Sequence, residues 1–229
     1  FLMLNKIKNK LKLLLRFYEL RQITFSDYSE YKKYFVEEDK KSTWDPSAFS
    51  NIIEKYLNNK SDLNLVEIGV ARGSTSKFTI EKLSDKVSSY TGIDPYESNY
   101  DRKDGFSYYN QDLMDNLYRF VIEKVNDPRF KLIRKKSNLA YLDFEDNSID
   151  AIYIDGNHTY EYALNDILNC KKFSDQSTLL LLDDVVQDPA FRTEANKAPT
   201  EVWNELKEKG VISEIECMHF RDINRGVAV

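Results

Sequence analysis

Residues 66–76 read VEIGVARGSTS, a turn with two glycines that lies between an apolar run and a stretch rich in hydroxyl side chains. The apolar run predicts a buried strand, and the stretch after the turn predicts a helix. Glycine at such a turn lets the backbone approach a ligand closely. Gly69 and Gly73 are separated by three residues, whereas a dinucleotide site has the spacing GxGxxG. The turn therefore predicts a ligand site and disfavours NAD.

Short apolar runs alternate with helical stretches from residue 64 onward, which is the pattern of an α/β domain. Two C-terminal segments, Ile212–Phe220 and Gly226–Val229, are joined by too few residues for a parallel crossover, so they are predicted to form an antiparallel hairpin. The other strands are expected to be parallel and buried on both faces. These parallel strands are predicted at Asn64–Val70, Ser89–Asp94, Phe130–Arg134, Asp150–Asp155 and Thr178–Asp183.

The N-terminal segment has a different pattern. Apolar residues at spacings of three and four among lysines predict a basic amphipathic helix over residues 1–20, which either packs on the domain or binds a membrane surface or partner. A second helix is predicted over Pro46–Asn58 with Asp45 as its N-cap. We therefore expect a helical appendage or linker at residues 1–45 and one domain at residues 46–229.

Composition narrows the functional classes. The chain has 229 residues, and its 38 acidic residues outnumber its 33 basic ones, which argues against nucleic acid as a partner. Cys170 and Cys217 form no metal or disulfide motif, and no apolar run is long enough to span a membrane. A cytoplasmic, reducing location is expected. The chain begins at Phe1, which is compatible with a piece cut from a longer polypeptide.

A second candidate ligand residue ends the second predicted strand. Asp94 stands in the segment GIDPY, 21 residues after Gly73. A ribose-binding acid is expected about 20 residues beyond the glycine turn, and a carboxylate accepts hydrogen bonds from both ribose hydroxyls. Asp94 is therefore predicted to bind a ribose, the alternative being a surface acid beside a proline turn.

Acidic residues and a histidine end two later strands. The fourth predicted strand ends at Asp155, with His158 three residues later, and the fifth ends in Asp183 and Asp184. The carboxyl ends of strands in an open α/β sheet line one crevice, so these side chains are expected to converge. Carboxylates this close repel one another unless a cation neutralises them, and hard oxygen ligands favour Mg²⁺. The alternatives are that Asp183 and Asp184 form a solvated acidic turn and that His158 is only a structural residue of the turn after its strand.

The glycine turn, with its E-x-G-x-x-x-G-x-S/T arrangement, resembles the first motif of class I S-adenosylmethionine-dependent methyltransferases. The resemblance implies a Rossmann-like sheet that binds S-adenosylmethionine. Glu67 then orients the amino group of the cofactor, the glycines pass under its methionine part, Asp94 binds the ribose and a residue after the third strand contacts the adenine. The implied cofactor residues are Glu67, Gly69, Gly73, Thr75, Asp94, Ser137 and Asp155.

The segment D-G-x-H-x-Y, followed by a D-D pair, resembles the metal-dependent sugar O-methyltransferases that act on macrolide antibiotics such as those of the mycinamicin and tylosin pathways. This resemblance spans residues 64–229. It implies that Mg²⁺ is held by Asp155, Asp183 and Asp184, and that His158 and Asp155 are catalytic, with His158 as the base. His219, within a predicted edge strand, is not expected to be functional.

The expected activity is therefore methyl transfer from S-adenosylmethionine to a hydroxyl of a sugar or glycan. A catechol-type acceptor is the alternative, followed by an NAD-dependent oxidoreductase or an inactive binding domain of the same fold. The tyrosine-rich insertion at residues 96–110 favours a sugar. A fused or associated glycosyltransferase and a homo-oligomer are further expectations.

Overall fold

A computed structural model describes residues 23–42, 45–98, 110–144, 149–220 and 225–229, without the side chains of residues 219 and 220. The helix predicted over residues 1–20 and most of the tyrosine-rich insertion lie outside these ranges.

The described residues form one mixed sheet in the order β3-β2-β1-β4-β5-β7-β6. The first five strands are parallel, and β7 runs antiparallel to both β5 and β6. This confirms the predicted α/β class, the Rossmann-like sheet and its antiparallel C-terminal hairpin. The strands are β1 Leu63–Ile68, β2 Val87–Ile93, β3 Phe130–Ile133, β4 Ala151–Ile154, β5 Leu179–Asp183, β6 Cys217–Phe220 and β7 Arg225–Ala228.

Helices cover both faces of the sheet, and each face has its own cluster of buried apolar side chains. No helix in the described ranges is long and apolar enough to cross a membrane. The α-helices are α1 Tyr28–Lys41, α2 Ala48–Tyr56, α3 Ser74–Lys82, α4 Gln111–Val125, α5 Ser137–Ala140, α6 Tyr160–Cys170 and α7 Glu194–Glu208; short 3₁₀ turns lie at Tyr141–Asp143 and Pro189–Phe191.

Most predicted bounds differ from the structure by one or two residues, and the start of the first hairpin strand differs by five. The strand predicted from Ile212 begins only at Cys217. In the connection before it, Ile215 and Glu216 both donate their backbone N–H groups to the Val229 carbonyl, at 2.7 and 3.4 Å, instead of forming a regular ladder. The helix predicted from Pro46 begins at Ala48. Asp45 does not cap that helix, because its carboxylate accepts a hydrogen bond from the Ser47 backbone N–H in the preceding turn, at 2.9 Å.

The described part of the N-terminal segment packs on the domain. Phe35 of α1 is buried, and its ring lies 5.2 Å from that of Phe120 in α4. Asp39 of α1 contacts two cations, Arg72 of the glycine turn at 2.9 Å and Lys124 of α4 at 2.6 Å. Helix α1 therefore shares a core with the domain and touches the glycine turn.

The register of the parallel strands aligns their carboxyl ends. Ile68 at the end of β1 is level with Ile93 of β2 and Ile154 of β4, and Ile154 is level with Leu182 of β5. The residues that follow these strands therefore meet at one edge of the sheet.

A buried ion pair joins β5 to β7 at that edge. Arg225 donates hydrogen bonds to both carboxylate oxygens of Asp183, at 2.9 and 2.7 Å, and to the hydroxyl of Tyr153 at 2.6 Å. Arg225 also donates to the backbone carbonyl of Asp45, at 3.2 Å. Only 3% of Arg225 and 2% of Asp183 are exposed. The network therefore ties the C-terminal hairpin to the sheet and to the segment before α2.

We predict that Arg225→Met lowers the free energy of unfolding by about 3–5 kcal/mol, because it leaves the buried Asp183 carboxylate without a counter-charge. Urea denaturation followed by circular dichroism measures this. Combining it with Asp183→Asn should recover much of the loss. Lys55→Met, which breaks the surface ion pair with Glu216, is the control and should change little. Equal effects of Arg225→Met and Lys55→Met on the free energy of unfolding would contradict a structural role for the buried pair.

Candidate active site

A cavity of about 450 Å³ opens at the carboxyl ends of the parallel strands. Residues that follow β1, β2, β3, β4 and β5 all contribute to its wall, as the aligned register requires. Every predicted site residue except Gly73 and Asp183 lines it, namely Glu67, Gly69, Thr75, Asp94, Ser137, Asp155, His158 and Asp184.

The two glycines of the turn have left-handed backbone conformations, with φ of +90° at Gly69 and +70° at Gly73. A Cβ atom at Gly69 would lie 2.0 Å from the backbone oxygen of Asp155, and one at Gly73 would lie 2.8 Å from Val121 of α4. Both positions therefore need glycine for close packing as well as for the turn. The Gly69 contact places the glycine turn directly against the backbone of Asp155, at the end of β4.

Asp94 follows β2 and faces the cavity beside the turn. Its two carboxylate oxygens accept hydrogen bonds from the backbone N–H groups of Ala71 and Tyr96, both at 3.0 Å. These bonds orient the carboxylate, and a carboxylate has about four acceptor positions in all.

Glu67 lies in β1 and is 2% exposed. One of its oxygens accepts hydrogen bonds from the hydroxyls of Ser76 and Tyr90. Burial raises the pKa of Glu67 to about 8, although these two hydrogen bonds oppose the shift. Glu67 is thus a buried acid on the cavity wall that can take up a proton near neutral pH.

Ser137, in the first turn of α5, donates a hydrogen bond from its hydroxyl to Asp166 of α6. Asp166 also lines the cavity and is not among the site residues predicted from the sequence. A signal was available, because Asp166 lies on the same helical face as the buried Ala163, Ile167 and Cys170. An acid on an apolar face is costly to bury and therefore marks a candidate site.

Asp155, His158 and Asp184 form a cluster in which one possible ligand atom from each lies within 4.8 Å of the others. The Nε2 atom of His158 lies 3.1 Å from an oxygen of Asp184 and 3.8 Å from an oxygen of Asp155. Partial burial raises the pKa of both acids, and the charge of Asp183 adds to the shift, while His158 opposes it. The cluster therefore concentrates negative charge that a cation would stabilise.

The neighbours Asp183 and Asp184 have different surroundings. Asp184 has a left-handed backbone conformation, with φ of +57°, and its carboxylate lies with Asp155 and His158. Asp183 is not in this group, because its carboxylate is held by Arg225 and Tyr153. The structure thus brings together Asp155, Asp184 and His158 and directs Asp183 into the sheet.

Comparisons with known proteins bear on the family and the fold. Residues 66–185, more than half of the chain, match the model of a family described as a methyltransferase domain. A protein of Acanthamoeba polyphaga mimivirus that carries no functional description is 27% identical over 137 residues. That match covers 58% of this chain and 58% of the viral protein.

Solved structures share the fold at low sequence identity. A candidate caffeoyl-CoA O-methyltransferase from Staphylococcus aureus has a TM-score of 0.58 at 16% identity and 97% coverage of both chains. The O-methyltransferase NovP has a TM-score of 0.57 at 12% identity, covering 80% of this chain and 78% of its own. A Podospora anserina methyltransferase with bound S-adenosylhomocysteine has a TM-score of 0.54 at 12% identity, with 96% and 94% covered.

The match to the family model and the strand order agree with the resemblance first seen in the glycine turn. Family and fold both point to a class I methyltransferase, with the cavity at the place where such folds bind their ligands. The chain therefore belongs to this family of methyltransferase domains.

Proposed function

We propose that the protein transfers the methyl group of S-adenosylmethionine to a hydroxyl of a sugar or glycan, with a divalent cation at the acceptor side. The observation that carries this proposal is the cluster of Asp155, His158 and Asp184 in the same cavity as Asp94 and the glycine turn. Acceptor activation and cofactor binding can then occur side by side.

The cofactor is proposed to lie along the carboxyl ends of β1 and β2. Asp94 binds the ribose hydroxyls, and Ser137 lies at the adenine end. The glycine turn, with Thr75 in the first turn of α3, faces the methionine part. Glu67 attracts the ammonium group, and the backbone next to Asp155 borders the cofactor through its contact with Gly69.

The cluster fits a hard divalent cation. Two carboxylate oxygens and one imidazole nitrogen suit Mg²⁺, and the nitrogen also suits Mn²⁺. We therefore propose Asp155 and Asp184 as ligands, with His158 beside them. Asp183, which the family resemblance implies as a further ligand, is not included in this proposed set, because both of its oxygens already accept hydrogen bonds from Arg225. A cation held by Asp155 and Asp184 would supply Lewis acidity that makes an acceptor hydroxyl easier to deprotonate.

His158 is proposed as the general base. It accepts the hydroxyl proton on its imidazole ring, and the carboxylate of Asp184, 3.1 Å from Nε2, stabilises the imidazolium that forms. Asp155 supports the same charge from 3.8 Å. The alternative role for His158 is that of a metal ligand, since its Nε2 is part of the donor cluster.

The acceptor class depends on the resemblance of the D-G-x-H-x-Y segment, which favours a sugar or glycan hydroxyl. A phenolic acceptor is the second candidate, because one neighbour in fold is described as a candidate caffeoyl-CoA O-methyltransferase. Two free cysteines support a reducing, cytoplasmic location. A glycosyltransferase partner and a homo-oligomer remain part of the proposal.

We predict that methyl transfer is lost when chelators remove divalent cations and that Mg²⁺ or Mn²⁺ restores it. Asp184→Asn should weaken Mn²⁺ binding at least about 10-fold, since it removes a ligand charge. The matched control is Asp183→Asn, one residue away, which should lower thermal stability and largely keep Mn²⁺ affinity. Calorimetric Mn²⁺ titrations and thermal melts of both variants measure this. Full activity after chelation would remove the cation from the proposal.

We predict that His158→Ala lowers the single-turnover rate by roughly 10²- to 10⁴-fold without changing S-adenosylhomocysteine affinity, as removal of a general base does. The rate and the Mn²⁺ dissociation constant should be measured on the same variant, with glycosides and catechols as acceptors. A parallel loss of Mn²⁺ affinity would make His158 a ligand instead of the base. An unchanged rate would mean that His158 is only a structural residue of its turn.

We predict that S-adenosylhomocysteine binds more tightly as the pH rises from about 6 to about 7. The ligand's ammonium group favours ionised Glu67, and below a pKa of about 8 the ionised fraction grows up to about tenfold per pH unit. Glu67→Gln keeps an acceptor for Ser76 and Tyr90, so it should fold, and its binding should depend less on pH than that of the unaltered protein. Calorimetry at both pH values decides this. Equal pH dependence in the two proteins would place the ammonium group elsewhere.

A further inference from the structure

Asp184 has a backbone conformation that its surroundings must hold in place. Its φ of +57° is left-handed, which is unfavourable for residues other than glycine, although aspartate adopts it more often than most. Such a conformation persists where neighbouring structure determines it, and it marks a candidate functional position. Here it accompanies a carboxylate that lines the cavity and lies 3.1 Å from His158. The residues next to Asp184 therefore have to be fixed.

The C-terminal hairpin fixes the residue on each side of Asp184. The carboxylate of Asp183, before it, is held by Arg225 of β7. Val185, after it, donates its backbone N–H to the carbonyl of Gly226 at 3.0 Å. A Cβ atom on Gly226 would lie 1.8 Å from the Val185 oxygen, so the hairpin passes directly against this backbone. Asp184 thus lies between two residues that are fixed to β7.

Helix α7 fixes the chain one residue further on. The hydroxyl of Thr200 accepts a hydrogen bond from the Val186 backbone N–H at 2.9 Å and donates its own hydrogen to the Asn196 carbonyl at 2.6 Å. Its oxygen also lies 3.4 Å from the Asp184 carbonyl. Thr200 and Val186 have no exposed surface, so the Val186 N–H would be left buried without this hydroxyl. An unpaired buried N–H is costly, and the loop would have to move to satisfy it.

Other side chains of α7 hold the same loop further from Asp184. Gln187 and Asn204 exchange two hydrogen bonds, at 2.9 and 3.2 Å. These amides are only partly buried, whereas the bond from Val186 to Thr200 is buried. Of these two contacts with α7, that of Thr200 is nearer to Asp184 along the chain and is better protected from water.

We propose that Thr200 is a positioning residue for the cation site. By holding Val186, its hydroxyl completes the contacts that keep Asp184 left-handed and its carboxylate beside Asp155 and His158. This inference rests on the proposed cation at Asp155 and Asp184. Thr200 itself does not line the cavity, so it acts on the site only through Asp184.

The test measures Mn²⁺ affinity by calorimetry in variants of Thr200, at a temperature at which circular dichroism shows each variant to be folded. Thr200→Val has the same shape without the hydroxyl. It should weaken Mn²⁺ binding about 10- to 100-fold, which is the usual effect of removing a group that orients a metal ligand. Thr200→Ser keeps the hydroxyl and should bind Mn²⁺ within about threefold of the unaltered protein.

Leu206→Ala is the matched control, because it removes buried volume from the same helix more than one turn away from Thr200. It should lower thermal stability at least as much as Thr200→Val and leave Mn²⁺ affinity unchanged. A second comparison uses the Asp184→Asn background. There Thr200→Val should add less than about a twofold loss, since two residues that act through one ligand are not additive.

Unchanged Mn²⁺ affinity in Thr200→Val would overturn the inference and leave the proposed cation intact. An equal loss in Leu206→Ala would also overturn it, because the effect would then follow stability alone. If Thr200→Val does not fold, Thr200→Ala takes its place, since the helix propensity of alanine offsets part of the lost stability, and the same outcomes decide. If the unaltered protein does not bind Mn²⁺, the proposed cation fails, and this inference fails with it.

Discussion

The close approach of Gly69 to the backbone of Asp155 is the constraint on which the site depends. A Cβ atom at Gly69 would lie 2.0 Å from the Asp155 oxygen, so no other residue fits this position without moving one of the two segments. The parallel register of β1 and β4 creates the approach, because Ile68 and Ile154 end level with each other. The glycine turn and the acidic cluster therefore face one cavity, which is the arrangement that the proposed methyl transfer requires.

The acids around that cavity differ in whether a basic side chain neutralises them. Asp183 is neutralised by Arg225 and fully used in holding β5 to β7. In the part of the chain that the structure describes, the ion-pair contact of Asp155 and Asp184 is with His158, and burial raises the pKa of each acid. A cation or a substrate can stabilise an acid most when that acid has no permanent counter-charge. The presence or absence of a counter-charge therefore distinguishes the structural acid, Asp183, from the candidate functional acids, Asp155 and Asp184.

Helix α1 extends the site beyond the segment matched by the family model, which begins at residue 66. Asp39 pairs with Arg72 of the glycine turn and with Lys124, and Lys124 also donates to the Arg72 backbone carbonyl at 3.0 Å. These bonds hold the outer side of the turn, while Gly69 packs on its inner side. The N-terminal segment thus contributes to the shape of the cavity and does more than connect the domain to its surroundings.

The sequence by itself determined the α/β class, the parallel strands and the acids at their ends, because hydrophobic period and turn residues are local signals. It also identified Gly69 and Gly73, whose left-handed conformations few other residues adopt. Only the tertiary structure decided which acid of the pair at 183 and 184 faces the cavity, since the deciding partner of Asp183 is Arg225, 42 positions away. It likewise placed Asp166 against Ser137, 29 positions away. No local pattern carries such pairings, because they arise only when separate strands and helices pack together.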